Sequence, residues 1–186
     1  MRKTFFWLLA VIAVLVVSFA AHPASADPAD DLAAVKKAFQ NVSSVHIDVT
    51  RTRMSGSLDM VNPDKMHWTM SDGIQMIAIG QQAWMSMGGK WMQRPPMPTA
   101  TTMMQHFRTL NLEGSDIRKE YKVTDKGMTS AGGVPARQYH IVNKQNGNTF
   151  DLFVGANNLP VRYADADGSV WTFSQYNSVA DIKPPM

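Results

Sequence analysis

The chain of 186 residues contains no cysteine. Disulfide bonds, thiolate metal sites and thiol catalysis are therefore excluded. A bacterial lipoprotein carries its lipid on a cysteine at the mature N-terminus, so we expect no anchor of that kind. The sequence also lacks G-x-S-x-G, HExxH and a phosphate-binding glycine loop. Because its acids fall mostly in predicted turns or on polar strand faces, we expect a protein that is not an enzyme.

The first 26 residues have the pattern of an export signal. Arg2 and Lys3 precede the apolar run Phe5–Ala21, and Ala24-Ser25-Ala26 is the small-x-small pattern of a cleavage site. The alternative is an uncleaved anchor helix, because the run approaches the lower length limit for a membrane span. We expect cleavage near Ala26, which leaves residues 27–186 as one domain, soluble, periplasmic and monomeric.

The chain has little excess charge of either sign. Eighteen Lys and Arg residues stand against fifteen Asp and Glu residues, a net charge of +3. Removal of the signal takes away Arg2 and Lys3, so the remainder is almost neutral. A nucleic-acid-binding domain would need a basic stripe, and nucleic acid is therefore not an expected partner.

The predicted architecture is mainly β. Apolar residues after Asp27 recur every three or four positions, which predicts a short amphipathic helix ending near Asn41. From Val45 onward they alternate with polar residues, and turn-forming pairs such as Gly88-Gly89 separate the runs. The predicted strands include Gln82–Met87, Arg118–Thr124 and Thr149–Val154. The sequence thus predicts an α+β protein with a curled antiparallel sheet, an incomplete β-barrel, of about ten or eleven strands.

A second helix is predicted in the middle of the chain, over Ala100–Leu110, between Pro95-Pro96 and Gly114. Four large apolar residues lie on one side of it: Met103, Met104, Phe107 and Leu110. They either cover the sheet as ordinary core residues or belong to a helix that moves as a lid.

Methionine is concentrated in one stretch of the sequence. Eleven of the fourteen methionines and three of the five tryptophans lie between Met54 and Met104. Alternate residues of a strand share a face, so these methionines point together while the histidines mostly point away. Strand cores usually favour branched residues, whereas methionine is flexible and polarizable. The pattern therefore predicts an adaptable wall that binds a hydrophobic ligand, with nine candidate residues: Met66, Trp68, Met70, Met76, Met85, Met87, Met103, Met104 and Phe107.

Two other interpretations of the methionines remain open. Any one of them can pack a core without touching a ligand. Thioethers and imidazoles also bind Cu(I), and Met85 and Met87 share a face that would allow it. Against copper, Met66 and the adjacent His67 point to opposite faces, and the histidines lack zinc-ligand spacing. We expect neither a metal nor another cofactor.

Several segments, in their order and spacing, resemble a known family. They are Asn41–His46, Pro63–Trp68, Ile77–Trp84, Leu159–Tyr163, Tyr176-Asn177 and Ile182–Pro185. Together they are similar to the LolA-like, or LppX-like, superfamily. That family takes in periplasmic lipoprotein carriers, mycobacterial lipid-binding lipoproteins and the sensor domain of envelope-stress regulators.

The resemblance implies an incomplete antiparallel barrel with a helical lid over a cavity for acyl chains. It implies a soluble periplasmic carrier of a lipoprotein acyl chain or other lipid, with membrane-bound proteins as possible donor and acceptor. An envelope sensor of the same fold is the alternative. The chain departs from the family at His67, where carriers have an arginine that hydrogen-bonds the lid, and in lacking the lipoprotein cysteine.

Overall fold

The computed structural model describes residues 27–51, 55–95, 112 and 116–186. Two helices lie in these residues, α1 (Pro28–Gln40) and the one-turn α2 (Ile117–Glu120). Eleven strands follow the chain order: β1 Ser44–Thr50, β2 Gly56–Val61, β3 Lys65–Met70, β4 Gln75–Ile79, β5 Gln82–Met87, β6 Lys90–Arg94, β7 Tyr121–Ala131, β8 Val134–Asn143, β9 Thr149–Val154, β10 Pro160–Asp165 and β11 Val170–Ser174.

Helix α1 begins and ends where its sequence signals predict. The Asp27 side chain accepts a hydrogen bond from the Ala29 amide at 2.9 Å, and Pro28 occupies the first turn. Arg118 belongs to α2, the helix that immediately precedes β7, and forms ion pairs with Asp27 and Asp30. The helix therefore has a capped N-terminus that is also tied to the start of the second half of the chain.

All eleven strands form one antiparallel sheet, in the order β6-β5-β4-β3-β2-β1-β11-β10-β9-β8-β7. Within β1–β6 and within β7–β11, each strand pairs with its neighbour in sequence, so each set forms a meander. The pairing of β1 with β11 joins the two meanders. Strands β6 and β7 are the two edges and do not pair with each other, so the sheet is not closed. The predicted curled, incomplete barrel with about eleven strands is confirmed.

Strand β7 differs most from its sequence prediction. The alternation predicts a strand over Arg118–Thr124, but those first residues belong to α2, which is capped by Asp116. The strand then continues to Ala131, because a bulge between Asp125 and Gly127 absorbs the break in alternation. Gly127 has φ 84°, a value that glycine adopts without steric cost.

Two predictions lie outside the described residues: the export signal over 1–26 and the central helix over Ala100–Leu110. Within the part of the chain that the structure describes, no helix is both long and apolar enough to cross a bilayer.

The core lies between α1 and one face of the sheet, here called the inner face. Leu32, Val35 and Phe39 of the helix are buried in the same cluster as Ile47 of β1 and Leu152 of β9. Because both meanders contribute to this cluster, folding of the core depends on the β1–β11 pairing that joins them.

Candidate ligand-binding face

The strand register arranges the inner face in rows. One row crosses six strands, each residue opposite the next: Ile47, Leu58, Trp68, Met76, Met85 and Met92. The row beside it contains Val45, Met60, Met66, Ala78 and Ala83. Side chains directly opposite on neighbouring strands are close enough to pack, so these rows form a continuous apolar surface. Methionine makes up much of that surface from β2 to β6.

Helix α1 is fixed over the other half of the inner face by aromatic and polar contacts. The Phe39 ring meets Phe173 of β11 edge to face, with centroids 5.9 Å apart. The Tyr139 hydroxyl of β8 donates a hydrogen bond to Asp31 Oδ2 at 2.9 Å. Burial and the neighbouring Asp31 carboxylate both raise the pKa of Tyr139, so the hydroxyl keeps its proton and remains a donor.

A partly buried ion pair lies next to that helix contact. Arg137 of β8 binds the Asp125 carboxylate of β7, and both side chains are largely covered. The hydrogen bond from Arg137 lowers the pKa of Asp125 and outweighs the opposing effect of burial. The helix, β7 and β8 are therefore linked by a polar group of four residues on the inner face: Asp31, Tyr139, Arg137 and Asp125.

The predicted site residues on the described strands lie on the same face, but at different depths. Met66, Trp68 and Met76 are buried, with 0%, 7% and 4% of their surface exposed. Met70 packs against the core and is partly buried, and Met85 is half-buried. Met103, Met104 and Phe107 lie outside the described residues.

Met87 is 54% exposed although it shares the face of Met85. The β4–β5 register explains the difference. Ser86 lies opposite Gln75, the first residue of β4, so Met87 extends beyond the neighbouring strand and has only Lys90 of β6 across from it. The alternation gives the correct face for Met87, but the length of the partner strand determines its exposure.

Trp68 carries an unusual feature within the inner face. Its indole Nε1–H is buried and has no hydrogen-bond partner among the described residues. A buried donor without a partner costs about 1–3 kcal/mol, so such groups are uncommon away from functional sites. Burial by itself does not separate a wall residue from a core residue, and ligand contact by these residues stays a prediction.

The second meander contributes inner-face residues that the methionine pattern did not select. Phe150 and Tyr163 stack with ring centroids 4.9 Å apart, and Tyr163 meets Trp171 at 6.0 Å. Phe150 and Leu152 do alternate in the sequence, so their shared face was predictable. Their position beside the methionine rows was not, because it depends on the long-range pairing of β1 with β11.

The outer face of the first meander carries His46 and His67. His46 Nδ1 lies 2.6 Å from Asp59 Oδ1, and His67 Nε2 lies 3.1 Å from Gln75 Oε1. Burial lowers the pKa of His46, but the hydrogen bond and charge of Asp59 outweigh it and raise the pKa overall. His67 thus bonds to the neighbouring strand on the side opposite Met66, as the alternation predicts.

A groove of about 480 Å3 lies on this outer face between the histidines and the C-terminal segment. Ile182 of that segment is buried, and Lys65 forms an ion pair with Asp181. Among the described residues, no group of three or more His, Cys, Asp or Glu side chains is placed to hold a metal ion.

The chain matches no family model and no curated protein. Its structure is similar to lipoprotein LppX of Mycobacterium tuberculosis, with a TM-score of 0.60 at 16% identity, over 84% of this chain and 100% of that one. For LprF of Mycobacterium bovis the TM-score is 0.66 at 15% identity, over 87% and 99%. For MucB the TM-score is 0.50 at 18% identity, over 86% and 61%. At these identities the likeness establishes the fold.

Proposed function

Because this chain has the LolA/LppX-like fold, we propose that it is a periplasmic carrier which binds a lipoprotein acyl chain or another lipid on its inner face. The observation that carries the proposal is the continuous apolar face on a sheet left open between β6 and β7. An open sheet leaves a route for a long ligand along its inner face, which a closed and fully packed barrel would not.

The chemistry of the first meander supports a ligand of variable shape. Unbranched thioether side chains change rotamer at little cost, so a wall of Met66, Met76 and Met85 can adapt to chains of different length and unsaturation. Each methylene removed from water contributes roughly 0.8 kcal/mol. An acyl chain therefore gains enough free energy on binding without any polar contact.

The indole of Trp68 offers a hydrogen-bond donor that would position the head of an acyl ligand. Its Nε1–H has no hydrogen-bond partner in the part of the chain that the structure describes. An ester or amide carbonyl at the head of an acyl chain could accept that hydrogen bond and relieve a cost of about 1–3 kcal/mol. The donor lies in the same row as Met76 and Met85, so one ligand could contact all three.

The direct test is native mass spectrometry, with lipid extraction, of protein purified from a bacterial periplasm. We expect acyl species to co-purify with the protein and to be lost from variants that carry a charge on the apolar face. Met85→Glu places a carboxylate on the inner face and should weaken binding of a fluorescent fatty acid at least tenfold. Gln93→Glu is the matched control, because it adds the same charge to the same hairpin on the opposite face.

The same measurement decides between the lipid and copper. Bound copper that disappears in the double variant Met85→Leu with Met87→Leu would favour the copper alternative, since leucine keeps the bulk and removes the thioether ligands. Protein that is empty and fails to bind any hydrophobic probe would contradict both ideas.

A further inference from the structure

The β5–β6 hairpin presents an exposed apolar surface at the edge of the sheet. Met85 lies opposite Met92, and Met87 lies opposite Lys90, so all four side chains project from one side of the hairpin. Met87 is 54% exposed and Met92 is 47% exposed. Strand β6 is an edge strand whose residues are nearly all exposed. Large exposed apolar residues grouped in this way are typical of a surface that contacts another molecule.

The charges on this hairpin are all of one sign. Lys90 and Arg94 alternate with Met92 along the exposed side of β6, and residues 82–94 contain no acid. Acids lie in neighbouring turns, with Asp72 between β3 and β4 and Asp64 between β2 and β3. Trp91 projects from the opposite side of the strand and is half-buried, with its ring 6.5 Å from that of His67. The exposed side of the hairpin therefore combines two methionines with two cations and does not include Trp91.

This combination fits the surface of an anionic bilayer. Methionine side chains enter the boundary between headgroups and acyl chains, while lysine and arginine extend their ammonium and guanidinium groups to lipid phosphates. A second copy of the chain fits less well. Antiparallel pairing of two β6 edges about Met92 would place Lys90 opposite the Arg94 of the other copy, and like charges directly opposite are destabilising.

We propose that the β5–β6 hairpin, through Met87, Lys90, Met92 and Arg94, docks the protein reversibly on anionic lipid bilayers. The docking surface is distinct from the buried part of the inner face, so it stands or fails independently of whether that face binds a lipid. Docking places an edge of the open sheet against the membrane, since β6 borders the opening between β6 and β7.

Flotation of the exported chain with lipid vesicles tests the proposal. We expect the protein to bind vesicles of phosphatidylcholine mixed with phosphatidylglycerol and to bind pure phosphatidylcholine far less. The substitutions Lys90→Gln and Arg94→Gln each remove one positive charge, and each should reduce vesicle binding roughly fivefold. The double variant Met87→Ser with Met92→Ser should reduce vesicle binding by at least about tenfold, because both positions lose the apolar surface that would enter the lipid.

Matched controls lie on the opposite edge strand, β7. Met128 is 63% exposed and Lys126 is exposed, so Met128→Ser and Lys126→Gln make the same chemical changes away from the hairpin. These variants should bind vesicles as the parent protein does. Thermal melting confirms that each variant is folded, which is expected because all the altered side chains are exposed.

Three results would overturn the proposal: equal binding to neutral and anionic vesicles, equal loss in the β7 controls, or dimerisation through the hairpin in sedimentation experiments. Native mass spectrometry of the same preparations keeps the two ideas apart. Retained lipid without vesicle binding would reject only the docking surface. Vesicle binding by a protein that never holds lipid would support docking and reject the carrier.

Discussion

The two meanders build one inner face from different side chains. In β2–β6 the face is rich in methionine and ends at an exposed edge strand. In β7–β11 it is built from aromatic and branched residues that interlock, as in the Phe150–Tyr163 stack. Helix α1 is bonded to β8 of the second meander through Tyr139 and to α2, which leads into that meander, through Arg118. We infer that the second meander with α1 forms a rigid frame, and we predict that the first meander supplies a surface that can adapt.

The largest expected effect comes from the frame. Leu152 is fully buried in β9, so Leu152→Ala should lower the free energy of unfolding by about 2–5 kcal/mol through lost burial and a residual cavity. Chemical denaturation measures it. Leu159→Ala, at a partly buried position on the border of the same core, is the control and should cost less. A loss below about 1 kcal/mol at Leu152 would contradict the rigid frame.

Loss of the hydrogen bond between α1 and the frame should have the next largest effect on stability. Tyr139→Phe removes the hydroxyl that donates to Asp31 and should cost about 1.5–3 kcal/mol, the range for hydrogen bonds to charged groups. Tyr163→Phe is a matched control, because its hydroxyl lies at the longer distance of 3.4 Å from Asp165. Equal losses in the two variants would mean that the contact to α1 has no special weight. Denaturation monitored by circular dichroism compares them.

Changing methionine to leucine tests the adaptable half. Met66→Leu and Met76→Leu nearly conserve volume, so each should change stability by less than about 1.5 kcal/mol. We expect the range of acyl-chain lengths that bind to narrow, because leucine has fewer rotatable bonds. Competition against a fluorescent fatty acid measures this range. An unchanged range, equal to that of the exposed control Met128→Leu, would favour the ordinary core role of these methionines.

The smallest expected effect depends on pH. The folded protein holds the His46 proton more tightly than the unfolded chain, because Asp59 and Asp48 raise the pKa above its ordinary 6.5. This stabilisation is fully present below the unfolded pKa and is lost as pH rises through the folded one. For a partly exposed pair it should amount to less than about 1 kcal/mol. Unfolding measured from about pH 6 to about pH 8 should show the decline, and Asp59→Asn should abolish it. A decline that persists in Asp59→Asn would assign it to another group.

Local patterns in the sequence were sufficient for most of the secondary structure. The strands Gln82–Met87 and Thr149–Val154 have the bounds that alternation predicts, because the two faces of each strand meet different environments. The prediction at β7 was wrong at both ends. The capped turn of helix depends on Asp116 and the bulge depends on Gly127. Such single residues interrupt the alternation of a strand without a repeating pattern that would predict where the interruption falls.

The candidate site was predictable in its face and not in its extent. The alternation placed Met66, Trp68 and Met70 together and sent His67 to the opposite side, as the structure confirms. The exposure of Met87 and the contribution of Phe150 depend on where partner strands begin and on how distant strands pair.

By itself the sequence determined the absence of thiol chemistry, the mainly β architecture and the shared face of the methionines. These follow from residue chemistry and from the two-residue period of a strand, which are local properties. Only the tertiary structure decided that β1 pairs with β11, that the sheet stays open between β6 and β7, and that the buried Trp68 Nε1–H lies within the inner face without a partner among the described residues. Those features depend on contacts between residues far apart in the chain, and short-range patterns do not specify such contacts.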